Sequence, residues 1–283
     1  MTSILITGAG TGFGQEIALR LASQGLSIIA GVEIPSQIYS LQQIAKKRGV
    51  ALNIEKLDIT DAGDREKAWR WDVNTLLNNA GISEGGSLVD IPAQNLRKQF
   101  EVNVLGTIQL TQGFARKMVK NKKGRIVFMS SVAGLTVDPF TGAYSASKHA
   151  IEAFAEALNK ELREFGIQIA TINPGPFLTG FNDRMFETWK SWLDDPAKRI
   201  FNYEKLAFPH EQFDPEEVIT TTIAVLTGQK TQYRNLVPEK MIKDTQEQLK
   251  AVWNRKQNAT LGGKQDNLVQ KSYNIKSGTS IDE

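Results

Sequence analysis

The stretch Ser3-Ile-Leu-Ile-Thr7-Gly8-Ala-Gly-Thr-Gly12-Phe13-Gly14 decides how the rest of the chain folds. Its first residues are short and continuously apolar, the pattern of a strand buried on both faces. Its glycines permit a tight turn and a close backbone approach to a diphosphate. Residues 16–25, an apolar-periodic run ended by Gly25, read as a helix, and residues 26–32 as a second apolar strand. The N-terminus of such a helix offers free N–H groups and a positive dipole end. The unit therefore reads as the opening of a dinucleotide-binding fold. Its spacing is Gly8-x-x-x-Gly12-x-Gly14; the commoner G-x-G-x-x-G would need glycine where Phe13 stands. No Gly-Lys-Ser/Thr follows, so this is not a triphosphate-binding loop.

Outward from this unit the chain keeps alternating. Residues 40–49 read as a helix, 52–57 as a strand followed by Asp58, and 61–70 as a short helix. A strand over 74–79 precedes Ala80-Gly81, and 96–121 reads as one long helix with an apolar face. A strand over 124–131 ends in serines, a helix spans 143–165 up to Gly166, and a strand over 167–173 meets Pro174-Gly175-Pro176. Strict alternation predicts an α/β fold: a Rossmann-like, doubly wound parallel sheet in three αβα layers. Ligands of such sheets sit at the carboxyl ends of the strands, where Gly8, Asp58, Asn79, Ser131 and Pro174 all fall.

Within the helix over 143–165, Tyr144 and Lys148 are four apart and share a face. A phenol ionises near 10, and a neighbouring cation stabilises the phenolate and lowers that value. A tyrosine so tuned can act as a general acid/base. The pair alone is common on solvent-facing helices, so its meaning depends on a cofactor and a pocket beside it.

Composition narrows the classes. The chain has 283 residues, 41% of them apolar, and a net charge of +3 with interspersed signs. No basic stripe suggests nucleic acid. Cysteine is absent and the histidines, His149 and His210, are far apart, which leaves no thiol chemistry and predicts no metal site. The chain enters its first strand directly after Met1 and Thr2, without a signal-peptide pattern, and no apolar run approaches the ~20 residues of a membrane span. A cytoplasmic protein without membrane partners is expected. Residues 214–226 read as a helix with Pro215 in its first turn, 235–238 as a last strand, and the polar run from about 241 as a tail. The expectation is one domain over 1–240 and a C-terminal extension over 241–283.

Taken together, Thr7-Gly8-x-x-x-Gly12-x-Gly14, Asn78-Asn-Ala-Gly81, Asn103 in Val102-Asn-Val-Leu-Gly106, Ser131, Tyr144-x-x-x-Lys148 and Pro174-Gly-x-x-x-Thr179 resemble the short-chain dehydrogenase/reductase family in order and type, over roughly residues 3–180. The resemblance implies hydride transfer between a nicotinamide cofactor and an alcohol or carbonyl. It implies Tyr144 as acid/base, Lys148 as its pKa-lowering neighbour and ribose contact, Ser131 as the substrate-oxygen donor, and Asn103 as holder of a water linking Lys148 to solvent. The family's spacing of thirteen residues before the tyrosine selects Ser131 over Ser130. It further implies cofactor contacts from Gly8, Gly12, Phe13, Gly14, Asp58, Ile59, Asn79, Ala80, Gly81, Pro174, Gly175 and Thr179, and a homodimer or homotetramer. A non-catalytic dinucleotide-binding regulator on the same fold is the alternative reading.

Two departures from the family pattern stand out. The usual NAD-selecting Asp position holds Val32, with Glu33 next and no basic residue through Gln37. A carboxylate repels a 2′-phosphate, so Glu33 favours NAD(H), while Ser36 and Gln37 keep NADP(H) possible. The segment 61–74 is also short, which predicts a clipped helix on an outer face.

Beyond Thr179, Phe181, Met185, Phe186, Trp189, Trp192 and Leu193 recur at helical spacing and read as an aromatic lid near 180–210. Such a lid predicts a hydrophobic or aromatic alcohol or ketone, with Ser131, Phe177, Phe181, Met185 and Trp189 as substrate contacts. Leu135, Val137 and Phe140 are further wall candidates. Tyr203 and His210 read as surface residues.

Overall fold

The computed structural model describes residues 3–258 and 265–274. β1 (Ser3–Ile6) leads through the glycine loop into α1 (Gly12–Ser23) and back to β2 (Ile28–Val32), every residue of which is buried. α2 (Pro35–Lys47) starts at Pro35, not at residue 40 as the apolar pattern suggested. Proline presets the helical φ at the first position, and the Gln37 side chain accepts hydrogen bonds from the N–H groups of Glu33 (3.0 Å) and Ile34 (3.3 Å). β3 (Asn53–Lys56) and the clipped helix α3 (Ala62–Ala68) follow, the latter capped by Asp61 accepting from the Asp64 N–H. The Trp69 indole closes the short helix against the outer layer by donating to the Leu110 carbonyl at 3.0 Å.

β4 (Val73–Asn78) then precedes what the sequence suggested was one long helix. It is instead α4 (Ala93–Phe100), a π turn over Glu101–Gly106, and α5 (Thr107–Asn121). The single residue inserted by a π turn leaves the apolar rhythm almost unchanged, so the pattern does not reveal it. Asn103 lies in that turn. β5 (Gly124–Met129), α6 (Gly142–Glu161) and β6 (Ile167–Pro174) complete the second half, with α7 (Phe181–Met185), α8 (Glu216–Thr227), β7 (Arg234–Val237), α9 (Met241–Ala251) and α10 (Asn267–Asn274) after it.

The strands form one seven-stranded sheet in the order β3-β2-β1-β4-β5-β6-β7, and every pair is parallel. One buried cluster packs α1 and α8 on one face, around Ile6, Ile17, Leu21 and Val218. The other packs α5 and α6 on the opposite face, around Leu76, Phe114, Phe128 and Ile151. Such burial on both faces is what continuously apolar strands require.

The order reverses between β1 and β4, and the two strand ends are stapled there. Thr7 Oγ1 accepts from the N–H groups of Asn79 and Ala80, both at 3.0 Å, while Asn79 Nδ2 donates to the Thr7 carbonyl at 2.9 Å. The crevice that a dinucleotide uses in such sheets opens at this reversal.

The segment read from the sequence as a lid is not a single amphipathic helix. After α7 it continues as short 3₁₀ turns over Thr188–Ser191, Pro196–Lys198 and Tyr203–Lys205. Met185, Phe186 and Trp192 are buried in a third cluster, whereas Leu193 is exposed. Tertiary anchors override the helical period. The Trp192 indole donates to Glu84 Oε1 at 2.7 Å in a buried bond, and Arg199 lies over the rings of Trp189, Trp192 and Tyr203. Tyr203, read from the sequence as a surface residue, is buried and donates to Asp90 Oδ2 at 2.9 Å. His210 is partly exposed and faces Asp138 at 2.8 Å. The tail returns to this cluster: the Ala207 N–H donates to the Ser272 carbonyl at 3.0 Å, and Tyr273 meets the Phe140 ring edge-on. Of the expected C-terminal extension, residues 259–264 and 275–283 lie outside the described residues.

Candidate active site

A cavity of about 1010 Å³ runs along the carboxyl ends of the strands. That is at the upper end of the roughly 300–1,000 Å³ typical of small-molecule sites. Every residue expected at the cofactor lines it except Gly14. Gly14 acts one step behind the wall. A Cβ there would lie 2.5 Å from Asn79 Nδ2 and 2.7 Å from the Gly8 carbonyl, so only glycine lets α1 dock on the staple. Gly12, by contrast, has φ +58°, and a Cβ on it would meet nothing within 4 Å, so its backbone faces open space. Gly8, at φ +64°, is held 2.7 Å from the Ala80 backbone by the same measure.

At the far side, Glu33 is exposed and lines the cavity beside Gln37, whose amide covers Gly10. Asp58 lines it too, with its Oδ1 accepting from the Thr60 N–H (2.9 Å) and hydroxyl (2.7 Å). Asp58 thus faces the cavity while closing a local turn, and the cap of α3 falls to Asp61.

At the near side, Ser131, Tyr144 and Lys148 meet on the cavity wall, all three buried. Ser131 stands just beyond the end of β5; its hydroxyl donates to the Pro174 carbonyl at 3.3 Å and accepts from the Ala133 N–H at 3.1 Å. Burial pushes the Tyr144 phenol up to about 12, and the hydrogen bond with Ser131 pulls the other way. This reverses the lowering expected from the sequence. Lys148 does lie one turn along the same face, with Nζ 5.6 Å from the centre of the Tyr144 ring, but its ammonium donates to the Met129 carbonyl at 2.8 Å. Burial in turn brings Lys148 down to about 8, against the opposing field of Glu152. Desolvation, which no helical wheel displays, outweighs the cation beside the phenol.

Asn103 is buried behind the wall. Its Oδ1 accepts from the Ile82 N–H (2.8 Å), and its Nδ2 donates to the Ile82 carbonyl (2.9 Å) and to Ser147 Oγ (3.1 Å). It thereby ties the segment after β4 to α6. Ser130, beside Ser131, also lines the cavity, but its Oγ is buried toward Gly134 and has no hydrogen-bond partner among the described residues.

Of the expected substrate contacts, Phe177 and Phe181 line the cavity, the latter edge-on to Tyr144 at 5.7 Å. Met185 and Trp189 do not. Met185 is buried against Gly85, and Trp189 packs on Tyr203 and Arg199. Phe140 is buried in the lid cluster, Val137 is exposed, and Leu135 does not reach the cavity. Sequence reasoning missed Arg97, Lys98 and Arg184, which line the cavity and form no ion pair among the described residues. The available signal was that Lys98 and Val102, four apart in sequence, share one helix face.

The residues fit a dinucleotide. Backbone glycine faces the cavity where a diphosphate would lie, and the lining remains largely apolar. The three cations Arg97, Lys98 and Arg184 border it. Among the described residues no group of three or more histidine or acidic side chains is arranged to hold a metal ion, and no helix is long and apolar enough to cross a membrane.

Known proteins place the chain independently. A family profile described as short chain dehydrogenase matches residues 2–190. An uncharacterized oxidoreductase of Escherichia coli, YbbO, is 37% identical over 188 residues, covering 66% of this chain and 70% of that one. Human 17-beta-hydroxysteroid dehydrogenase type 1 is 30% identical over 258 residues, covering 85% of this chain and 79% of that one. An actinorhodin polyketide ketoreductase solved with NADPH superposes with a TM-score of 0.69 at 25% identity, covering 83% of this chain and 95% of that one. With its glycine loop, its strand-end staple and its Ser131, Tyr144 and Lys148 on one wall, this chain belongs to the short-chain dehydrogenase/reductase family of oxidoreductases.

Proposed function

We propose that the protein interconverts a hydrophobic alcohol and its ketone with a nicotinamide dinucleotide, Tyr144 serving as acid/base. The observation that carries this reading is the meeting of Ser131, Tyr144 and Lys148 on the wall of the same cavity that the glycine loop and Glu33 border. A bound nicotinamide would supply or accept the hydride. The glycine loop, Asn79, Ala80, Gly81, Pro174, Gly175 and Thr179 hold the dinucleotide, and Arg97, Lys98 and Arg184 draw its anionic diphosphate to the rim.

In reduction, the Tyr144 hydroxyl donates its proton to the substrate oxygen while the Ser131 hydroxyl, turned from its long 3.3 Å bond to the Pro174 carbonyl, donates a second hydrogen bond to the same atom. In oxidation the proton returns to Tyr144. Lys148 shares its burial and its helix face, and exchanges protons with solvent through a water held beside Asn103. Support for that water comes from Gly81. A Cβ there would lie 3.2 Å from Asn103 Oδ1 and 3.9 Å from Lys148 Nζ, so the two groups approach the same short stretch of backbone. Asn103 Oδ1 has accepted one bond and keeps a second lone pair.

Phe177 and Phe181 present an apolar wall to the substrate, which supports a bulky apolar alcohol or ketone; the human relative's name records a hydroxysteroid. Glu33, with no basic neighbour through Gln37, supports NAD(H) over NADP(H). One continuous sheet carries both halves of the cavity, in keeping with a single domain. The exposed Leu105 and Phe154, on the π turn and α6, support a homo-oligomer paired through those helices.

The test is spectrophotometric: NADH and NADPH oxidation by purified protein against a panel of apolar ketones and small polar carbonyls. Turnover of the apolar ketones alone is expected. Cofactor binding without turnover of any carbonyl would return the protein to the regulator reading.

A further inference from the structure

One turn beyond Lys148 on α6, Glu152 is buried, and nothing in the reaction above uses it. Tyr144, Lys148 and Glu152 therefore descend one face at intervals of four. The Glu152 carboxylate has a partner on each oxygen. Oε1 accepts from Asn173 Nδ2 at 2.6 Å, and Oε2 accepts from Arg234 Nη2 at 2.8 Å. The same Asn173 nitrogen donates its other hydrogen to the Ser131 carbonyl at 3.1 Å, while Asn173 Oδ1 accepts from Thr171 Oγ1 at 2.9 Å. A fully buried amide thus bridges the carboxylate and the backbone of the serine on the cavity wall.

We propose that Glu152 is a positioning residue of this site, holding the Ser131 segment through Asn173 and setting the charge balance at Lys148 from below. The inference rests on the acid/base reading of Tyr144 and Lys148. The charged surroundings are few. β7 brings Arg234, the residue before it is Tyr233, and α6 itself brings Lys148 and the more distant Glu156. The turn after β5 and strand β6 bring no ionisable side chain; α4 and the π turn bring Arg97, Lys98 and Glu101 on the cavity side. Glu152 is the group whose field supports a positive charge on Lys148, and Arg234, more exposed at 41%, moderates it from the solvent side.

The experiment is the pH profile of alcohol oxidation by the wild type, Glu152→Gln and Arg234→Met, read alongside the Kd for NADH by fluorescence. Removing the carboxylate's charge should move the Lys148-dependent inflection down by about half a pH unit or more. Removing the guanidinium should move it up, with NADH affinity changed less than about threefold in both. The Arg234 variant keeps the test open if the Glu152 variant does not fold. An inflection that stays in place in a folded variant while kcat alone falls assigns Glu152 a merely structural role and overturns the proposal. A Tyr144→Phe protein of undiminished activity would instead remove the acid/base reading beneath it, so the two failures are distinguishable.

Discussion

Lys148 stands one helical turn beyond Tyr144, yet its ammonium donates to the Met129 carbonyl at 2.8 Å and lies 5.6 Å from the centre of the Tyr144 ring. Helical spacing brought the two groups together. Burial decides how each of them titrates, raising the phenol to about 12 and lowering the amine to about 8.

That ordering gives a pH dependence. Alcohol oxidation releases a proton into the site, so it requires an acceptor there. On raising the pH of the protein alone, Lys148 gives up its proton first, at about 8. The oxidation rate should climb through about pH 8, and Lys148→Met should abolish that inflection along with most of the rate. The same shift bears on stability. The amine binds fewer protons folded than unfolded between about 8 and its ordinary 10.5, so wild-type stability should gain with rising pH across that window relative to the methionine variant. Denaturant titrations at two pH values check the second outcome, and a flat difference between the proteins would contradict it.

Tyr144→Phe keeps the ring that Phe181 packs against and removes only the hydroxyl. Turnover should drop by about 10²–10⁴, the usual worth of a positioned acid/base. Dinucleotide affinity, measured by fluorescence titration, should stay within about threefold. A large loss of affinity with little loss of rate would reassign the tyrosine to binding.

Glu33→Ala should improve NADPH binding relative to NADH. Repulsion on the order of 1 kcal/mol between a carboxylate and a 2′-phosphate in partly wet surroundings corresponds to about fivefold in Kd. Competing titrations of the two reduced cofactors give the ratio directly. A ratio equal to that of wild type would exclude Glu33 as the selecting group.

Trp192→Phe keeps an aromatic ring at the buried position but deletes the N–H that reaches Glu84 at 2.7 Å, together with the ring edge that packs on Gly86. The buried carboxylate then lacks that donor, which should cost roughly 1–3 kcal/mol in urea unfolding. The substrate KM should rise as the lid loosens. Unchanged stability would mean that Arg199 and Tyr203 alone hold the lid.

The strand ends were legible because a buried parallel strand advertises itself as an unbroken apolar run, and Gly8, Asn79 and Pro174 punctuate those runs. Helix existence was legible; helix continuity was not. The π turn at Asn103 and the 3₁₀ turns of the lid keep aromatic and apolar spacings close to a helix's while their geometry is set by distant partners such as Glu84 and Asp90. Tyr203 misled for the same reason, since its burial depends on Asp90, more than a hundred positions away in sequence. Met185 and Trp189 carried the right chemistry for a pocket wall but face the lid's own core. Arg97 and Lys98 belong to no motif in the sequence, and only the cavity beside them brings them to notice.

The reversal of strand order between β1 and β4 divides responsibility between two banks. On the proposed reading, nucleotide selection by Glu33 and the Gly12 loop would fall to the β1–β3 bank, and proton handling by Ser131, Tyr144 and Lys148 to the β5–β6 bank; the staple of Thr7 and Asn79 joins them. Coenzyme choice can therefore be re-engineered on one bank without retuning the chemistry on the other, provided the staple is left alone.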